Sequence, residues 1–134
     1  MKQDNVVLIK SYAFAVRIVR LYKYLREQGE VPPLASQVLR SGTSVGANVE
    51  EAVGGFSRRD FVSKCSVAYK EARETHFWLR LLRDTNCLES RLAESLLEEA
   101  EELKNCWRPS FYQHAKLMLQ AQGKGNSSFL IFNF

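Results

Sequence analysis

Histidine, cysteine and carboxylate side chains most often do chemistry in proteins, and here the histidines and cysteines form no reactive pattern. The cysteines, Cys65, Cys87 and Cys106, are odd in number and lack CxxC spacing, which favours reduced thiols over a disulfide framework or a zinc site. Neither His76 nor His114 follows a glutamate by three residues, as the di-iron carboxylate bundles require. P-loop and GxGxxG motifs are also missing. We therefore expect no metal, no cofactor and no enzymatic activity.

A group of carboxylates allows two interpretations. The glutamates near the middle of two predicted helices are Glu50, Glu51, Glu71 and Glu74. If those helices pack antiparallel, the four side chains could bind a metal ion or act as acid and base. The interpretation that we favour is ion pairing, which would fix the register of the helices. The cations within reach are Arg40, Lys70 and Arg73.

The positive charge lies mainly in the first half of the chain. Residues 1–59 hold nine lysines and arginines against five acids, an excess equal to the net charge of +4 of all 134 residues. Candidate nucleic-acid contacts among these cations are Arg17, Arg20, Lys23, Arg26, Arg58 and Arg59. The last two open a predicted helix, whose free backbone N–H groups also attract phosphate. A solvated surface is the alternative, because no aromatic residue is clearly interleaved with these charges on one face.

Four long segments repeat apolar residues with the helical period, at about residues 5–28, 34–53, 58–85 and from 89 onward. Turns rich in glycine, proline and asparagine separate them. Pro109 lies inside the fourth segment and should kink or interrupt it. Long helices with short connections predict an all-α, antiparallel up-down-up-down four-helix bundle over residues 1–122.

The first predicted helix is apolar on two sides. Its core stripe consists of Val7, Phe14, Ile18, Leu21 and Leu25. A second apolar set projects from the opposite side: Ile9, Tyr12, Ala13 and Val16. Because a helix that is apolar on two faces must bury both, we expect the second face to meet another subunit. The sequence therefore predicts a homo-oligomer.

The second predicted helix carries a groove of small residues, formed by Ala35, Gly42 and Gly46. An interior glycine costs roughly 1 kcal/mol relative to alanine, so the close approach of another helix is the expected compensation. Ser41 and Asn48 are polar members of the apolar stripe of the same helix, and they need hydrogen-bond partners if they are buried.

The end of the chain differs from the bundle in composition. Residues 123–128 have the composition of a flexible linker, and residues 129–134 are apolar and β-prone. This tail should either dock on a subunit or partner, or be a disordered remnant. No apolar run approaches the ~20 residues of a membrane span, and no secretory leader pattern is visible. We expect a cytoplasmic protein that makes no membrane contact.

Two strings resemble a known family, the bacterial 23S rRNA intervening-sequence proteins, also called S23 ribosomal proteins. They are QVLRSGTSVGANVEEA at residues 37–52 and AYKEARETHFWL at residues 68–79. Residues 11–25 and 126–129 also look like the family, whereas residues 106–112 depart from it. The resemblance implies a four-helix bundle that assembles as a ring-like homopentamer. It also points to relatives that act as accessory proteins of diversity-generating retroelements, where they bind the reverse transcriptase and nucleic acid.

The family motif matches this chain at Arg40, Ser44, Asn48, Glu51, Glu71 and Glu74. We interpret these positions, carried over by resemblance, as a structural polar network with a recognition role.

Two functional hypotheses follow. The first is an oligomeric accessory protein that binds RNA, or a nucleoprotein partner such as a reverse transcriptase, through the cations of the first and third helices. The alternative is a protein-binding scaffold without nucleic-acid binding, which would use the apolar tail and the small-residue groove.

Overall fold

The protein, described from a computed structural model, consists of four helices in the part of the chain that the structure describes. That part is the backbone of residues 2–29 and 32–122 and the side chains of residues 6–29 and 32–106. The helices are α1 (Lys2–Glu27), α2 (Pro32–Val53), α3 (Arg58–Asp84) and α4 (Ser90–Gln122). No strand occurs within these ranges. The predicted linker and tail, residues 123–134, lie outside the described residues.

The helix ends follow the local turn chemistry. Gly29, just after α1, has a φ of 69°, in the left-handed region where glycine meets little steric cost. The α2 helix begins at Pro32, two residues before the predicted start, because proline has the φ of a helix and lacks an N–H that the first turn would leave unpaired. At the start of α3, the backbone N–H of Asp60 donates to the Ser57 Oγ at 3.1 Å.

The fourth helix continues through Pro109, so of the predicted kink or interruption, the interruption is wrong. Proline removes one backbone hydrogen bond and crowds the preceding turn. In a helix of 33 residues the turns on either side persist, and α4 extends to Gln122.

The four helices form a closed ring of neighbours. Each helix packs against the next along the chain, and α1 also packs against α4. Within the described residues, the backbones of α1 and α3, and those of α2 and α4, do not approach each other closely. This is the predicted antiparallel up-down-up-down bundle, and the prediction of an all-α four-helix fold is confirmed.

The predicted core stripe of α1 faces the interior. All five of its residues are buried: Val7, Phe14, Ile18, Leu21 and Leu25. Two polar residues share the interior between α2 and α3. The hydroxyls of Ser41 and Thr75 lie 2.9 Å apart, and each also bonds to a carbonyl of its own helix. Ser41 therefore has the partners that its position requires, whereas Asn48 is only partly buried.

Candidate nucleic-acid interface

The second apolar face of α1 is left uncovered by the bundle. Ile9 is 69% exposed and Tyr12 is 67% exposed. Ala13 is also exposed, and Val16 is half-buried. The four side chains therefore lie where the sequence placed them, on the side of α1 that faces away from the core.

A shallow groove of about 370 Å³ runs along the same side of α1. It is lined by Tyr12, Ala15, Val16, Val19, Arg20 and Lys23. The groove is apolar toward the start of α1 and cationic toward its end. It thus joins members of two separately predicted sets, the oligomer interface and the nucleic-acid contacts.

The candidate cations of α1 do not share one face. The Arg17 guanidinium turns toward α4, where Nη1 lies 2.6 Å from the Glu99 carboxylate and 3.2 Å from the Ser95 hydroxyl. Arg20 and Lys23 are exposed and line the groove. Arg17, Arg20 and Lys23 are three residues apart. Three helical residues rotate by roughly 300° about the helix axis, so each of these side chains points roughly 60° away from the one before it.

Arg26 differs in its surroundings from the two cations of the groove, Arg20 and Lys23. The Arg26 Cζ lies 5.7 Å from the centre of the Tyr22 ring, a cation–π distance. Among the described residues, Arg20 and Lys23 have no ion-pair or aromatic partner. Their charges are therefore available to a ligand, whereas the charge of Arg17 is already matched within the bundle.

The start of α3 presents a second pair of available cations. Arg58 and Arg59 are exposed and make no ion pair within the part of the chain that is described. The neighbouring Phe56 is 102% exposed. Sequence reasoning missed this aromatic residue; the signal was its position between Gly54-Gly55 and the capping Ser57, where the connection is too short to bury a large ring.

A polar network joins α2 and α3, although it is smaller than predicted. The Arg40 guanidinium bonds to Glu74, and its Nη1 lies 3.3 Å from the Glu71 carboxylate. The indole N–H of Trp78 donates to the same Glu74 carboxylate at 3.1 Å. The hydrogen bond from Arg40 holds the pKa of Glu74 below its usual range. The network therefore favours an ionised Glu74 that is occupied within the protein.

The other members of the predicted network bond elsewhere. The Ser44 hydroxyl donates to the Arg40 carbonyl at 2.7 Å, and the Asn48 amide donates to the Ser44 carbonyl at 2.8 Å. Both are bonds within α2. Glu51 pairs with Lys64 of α3 at 2.5 Å. These side chains support helix geometry and the α2–α3 contact.

The family of the chain follows from comparison with known proteins. The model of the family described as 23S rRNA-intervening sequence protein matches residues 3–107. The chain belongs to this family. All side chains that the structure describes fall inside the match, and the tail falls outside it.

A solved member of the S23 ribosomal protein family resembles the chain closely. It is the crystal structure of a protein of unknown function from Bacteroides thetaiotaomicron, 45% identical in sequence, with a TM-score of 0.78. The similarity covers 82% of this chain and 98% of the other. No curated protein matches the chain.

The small-residue groove on α2 of the present protein is filled by α1 of the same chain. A Cβ atom added at Gly42 would lie 2.7 Å from Ile18 side-chain carbons, and one at Gly46 would lie 3.2 Å from the Ser11 carbonyl oxygen. The predicted close approach of a helix is confirmed. The prediction that this groove serves a scaffold as a docking site for another protein is wrong, because α1 already occupies it.

The residues that could hold a metal do not converge in the described part of the structure. No group of three or more histidines, cysteines and acids is close enough to bind an ion there. The His76 Nε2 lies 3.6 Å from the Glu101 carboxylate, and burial lowers the pKa of His76. The three cysteines form no disulfide. His114 lies outside the described side chains.

None of the described helices is both long and apolar enough to cross a membrane.

Proposed function

We propose that the protein is a self-associating, non-enzymatic RNA-binding protein whose exposed cations contact RNA phosphates. The observation that carries this proposal is the α1 groove. There Arg20 and Lys23, without partners among the described residues, adjoin an apolar surface that the bundle leaves uncovered. Unmatched cations attract phosphate, and exposed apolar area favours association of subunits.

The family gives independent support. Its description concerns an intervening sequence of 23S rRNA, which makes RNA the first nucleic acid to test. The ring-like homopentamer that the family resemblance implies would repeat Arg20 and Lys23, at the cationic end of the groove, around the assembly. Repeated cations beside the subunit contacts would bind one RNA molecule at several points, which raises the overall affinity.

The direct test replaces Arg20 and Lys23 with glutamine and measures binding of a short single-stranded RNA of mixed sequence at several salt concentrations. On a single strand, each lost phosphate contact should reduce the slope of log affinity against log salt by about 0.7, so the double variant should lose about 1.4. The control replaces Arg91, an exposed cation, and Lys64, whose charge is already paired with Glu51, with glutamine. It changes the net charge equally and should leave the slope close to that of the unmodified protein.

An unchanged affinity and slope in the groove variant would remove these cations from the proposal. Equal losses in the groove and control variants would show attraction by net charge alone. If the unmodified protein binds no RNA at low salt, RNA binding is excluded, and the protein-binding scaffold becomes the better account of the uncovered surface.

A further inference from the structure

The outer face of α3 carries aromatic rings and arginines in alternation. Tyr69, Arg73, Phe77 and Arg80 are three or four residues apart, the spacing that places side chains on one side of a helix. We call this row the α3 ladder. The Arg73 Cζ lies 5.9 Å from the centre of the Tyr69 ring. The Arg80 Cζ lies 5.9 Å from the centre of the Phe77 ring.

The ladder is accessible from outside the bundle. Phe77 is 47% exposed, and Arg73 and Arg80 are also exposed. Tyr69 is partly buried where it packs against the core residues at one end of the bundle. Phe77 also meets the edge of Trp78, with the ring centres 5.1 Å apart. Core packing therefore holds the row in place while its outer side faces solvent.

The charge of this face is positive because the acids of α3 lie elsewhere. Glu71 and Glu74 project toward α2, where both contact Arg40. Asp60 and Asp84 lie at the two ends of the helix. Asp84 pairs with Arg83 at 2.9 Å, and its pKa is lowered by that bond and also by the charge of Arg80, at the end of the ladder. The ladder between them contains two cations and no acid. An anionic ligand meets no opposing carboxylate within the row.

Alternating rings and guanidinium groups suit nucleic-acid bases better than phosphates alone. Every base has a flat face that can stack on an aromatic ring or a guanidinium group, while the arginine charge also attracts the backbone. In an RNA duplex the bases are stacked on one another, so only unpaired nucleotides can offer their faces. The row does not form a continuous apolar surface, because an arginine follows each ring.

We infer that the α3 ladder binds unpaired RNA nucleotides by stacking their bases on Phe77, Tyr69 and the adjoining arginines. This inference rests on the proposed RNA-binding function and adds to it a preference for single-stranded RNA. Phosphate contacts at the α1 groove supply affinity for any RNA, and the ladder distinguishes unpaired from paired nucleotides.

The test measures binding of a short single-stranded RNA and of the same sequence annealed to its complement. Phe77→Leu keeps an apolar side chain and removes the ring. It should weaken single-strand binding by about tenfold, the loss expected for one stacked base, with the salt slope and duplex binding unchanged. Arg73→Gln with Arg80→Gln should weaken single-strand binding and also reduce the salt slope. Tyr24→Leu, at an exposed ring outside both the groove lining and the ladder, is the matched control and should change neither affinity.

Several outcomes would overturn the ladder. Equal affinity of the Phe77 variant and the unmodified protein would do so, as would an equal loss in the Tyr24 variant or in duplex binding. Circular dichroism and the mass of the assembly must match those of the unmodified protein, so that a folding defect is not mistaken for lost stacking. If the groove variant loses RNA binding while the Phe77 variant keeps it, the proposed function stands and the ladder fails. If the unmodified protein binds no RNA, both fail.

Discussion

The two sides of α1 are held in different ways. Toward α2 the contact depends on shape, because Gly42 and Gly46 let the helices approach until the space for a Cβ is filled by α1. Toward α4, ion pairs border the core that the two helices share: Lys10 bonds to Glu102, and Arg17 bonds to Glu99. The glycine contact is buried, whereas the ion-paired side chains are 32–53% exposed. One side of α1 is therefore fixed by close packing at two glycines, and the ion pairs on the other side are partly open to solvent.

The difference has a physical basis. Close-packed interiors resist even small changes of volume, whereas ion pairs between exposed side chains contribute little to stability. The α1–α2 contact should therefore determine whether the bundle folds. The α1–α4 contact should adjust the register of two helices that are already folded.

The largest effect is expected for Gly42→Val. The added carbons would meet Ile18, whose side chain is fully buried and β-branched and so has little freedom to move. The free energy of unfolding should fall by about 2–3 kcal/mol, the cost of overpacking a core. Chemical denaturation at one fixed protein concentration would measure it, because stability of an oligomer depends on concentration.

The cause of that loss can be checked in the Ile18→Ala background. Removing the Ile18 side chain opens the space that the valine needs, so Gly42→Val should cost less there than in the unmodified protein. The same cost in both backgrounds would show that the loss has another origin, such as altered helix propensity at residue 42.

A smaller effect is expected for Arg17→Gln. The two charged side chains are 32% and 36% exposed, so their pairing should contribute at most about 1 kcal/mol. The loss should be greatest at low salt and should become smaller at about 1 M salt, where screening weakens the pair. Denaturation at two salt concentrations tests this. A loss that equals the Gly42 effect, or is the same at both salt concentrations, would mean that the two contacts do not differ as described.

The sequence predicted what depends on local periodicity. The buried side chains of α1 and the small-residue approach at Gly42 and Gly46 repeat at helical spacing, and the structure confirms both. The Ser57 cap is likewise a local pattern. The all-α fold follows from these features without knowledge of distant contacts.

The partners of the charged residues depend on which helices become neighbours, and the sequence alone did not determine them. Arg17 was grouped with Arg20 by spacing, yet it turns to Glu99, which is 82 residues away. Glu51 was grouped with the Arg40 network but pairs with Lys64. A long flexible side chain can reach several nearby partners, so its ion-pair partner can be identified only from the packed structure.

The same limit explains why the α3 ladder was missed. From sequence spacing alone, Tyr69 and Phe77 belong to the apolar surface of the third predicted helix, and the exposure of the arginines beside them is not determined. Only the contacts with Arg73 and Arg80 show rings and cations together on an accessible face.

We expect the uncovered face of α1 to join subunits. Sedimentation or light scattering in dilute solution measures the molecular mass that tests this expectation. The account predicts a mass that is a multiple of the 15.4 kDa protomer, and a return to the protomer mass in an Ile9→Asp, Val16→Asp variant that keeps its helical content. A single 15.4 kDa species for the unmodified protein at every concentration would contradict it.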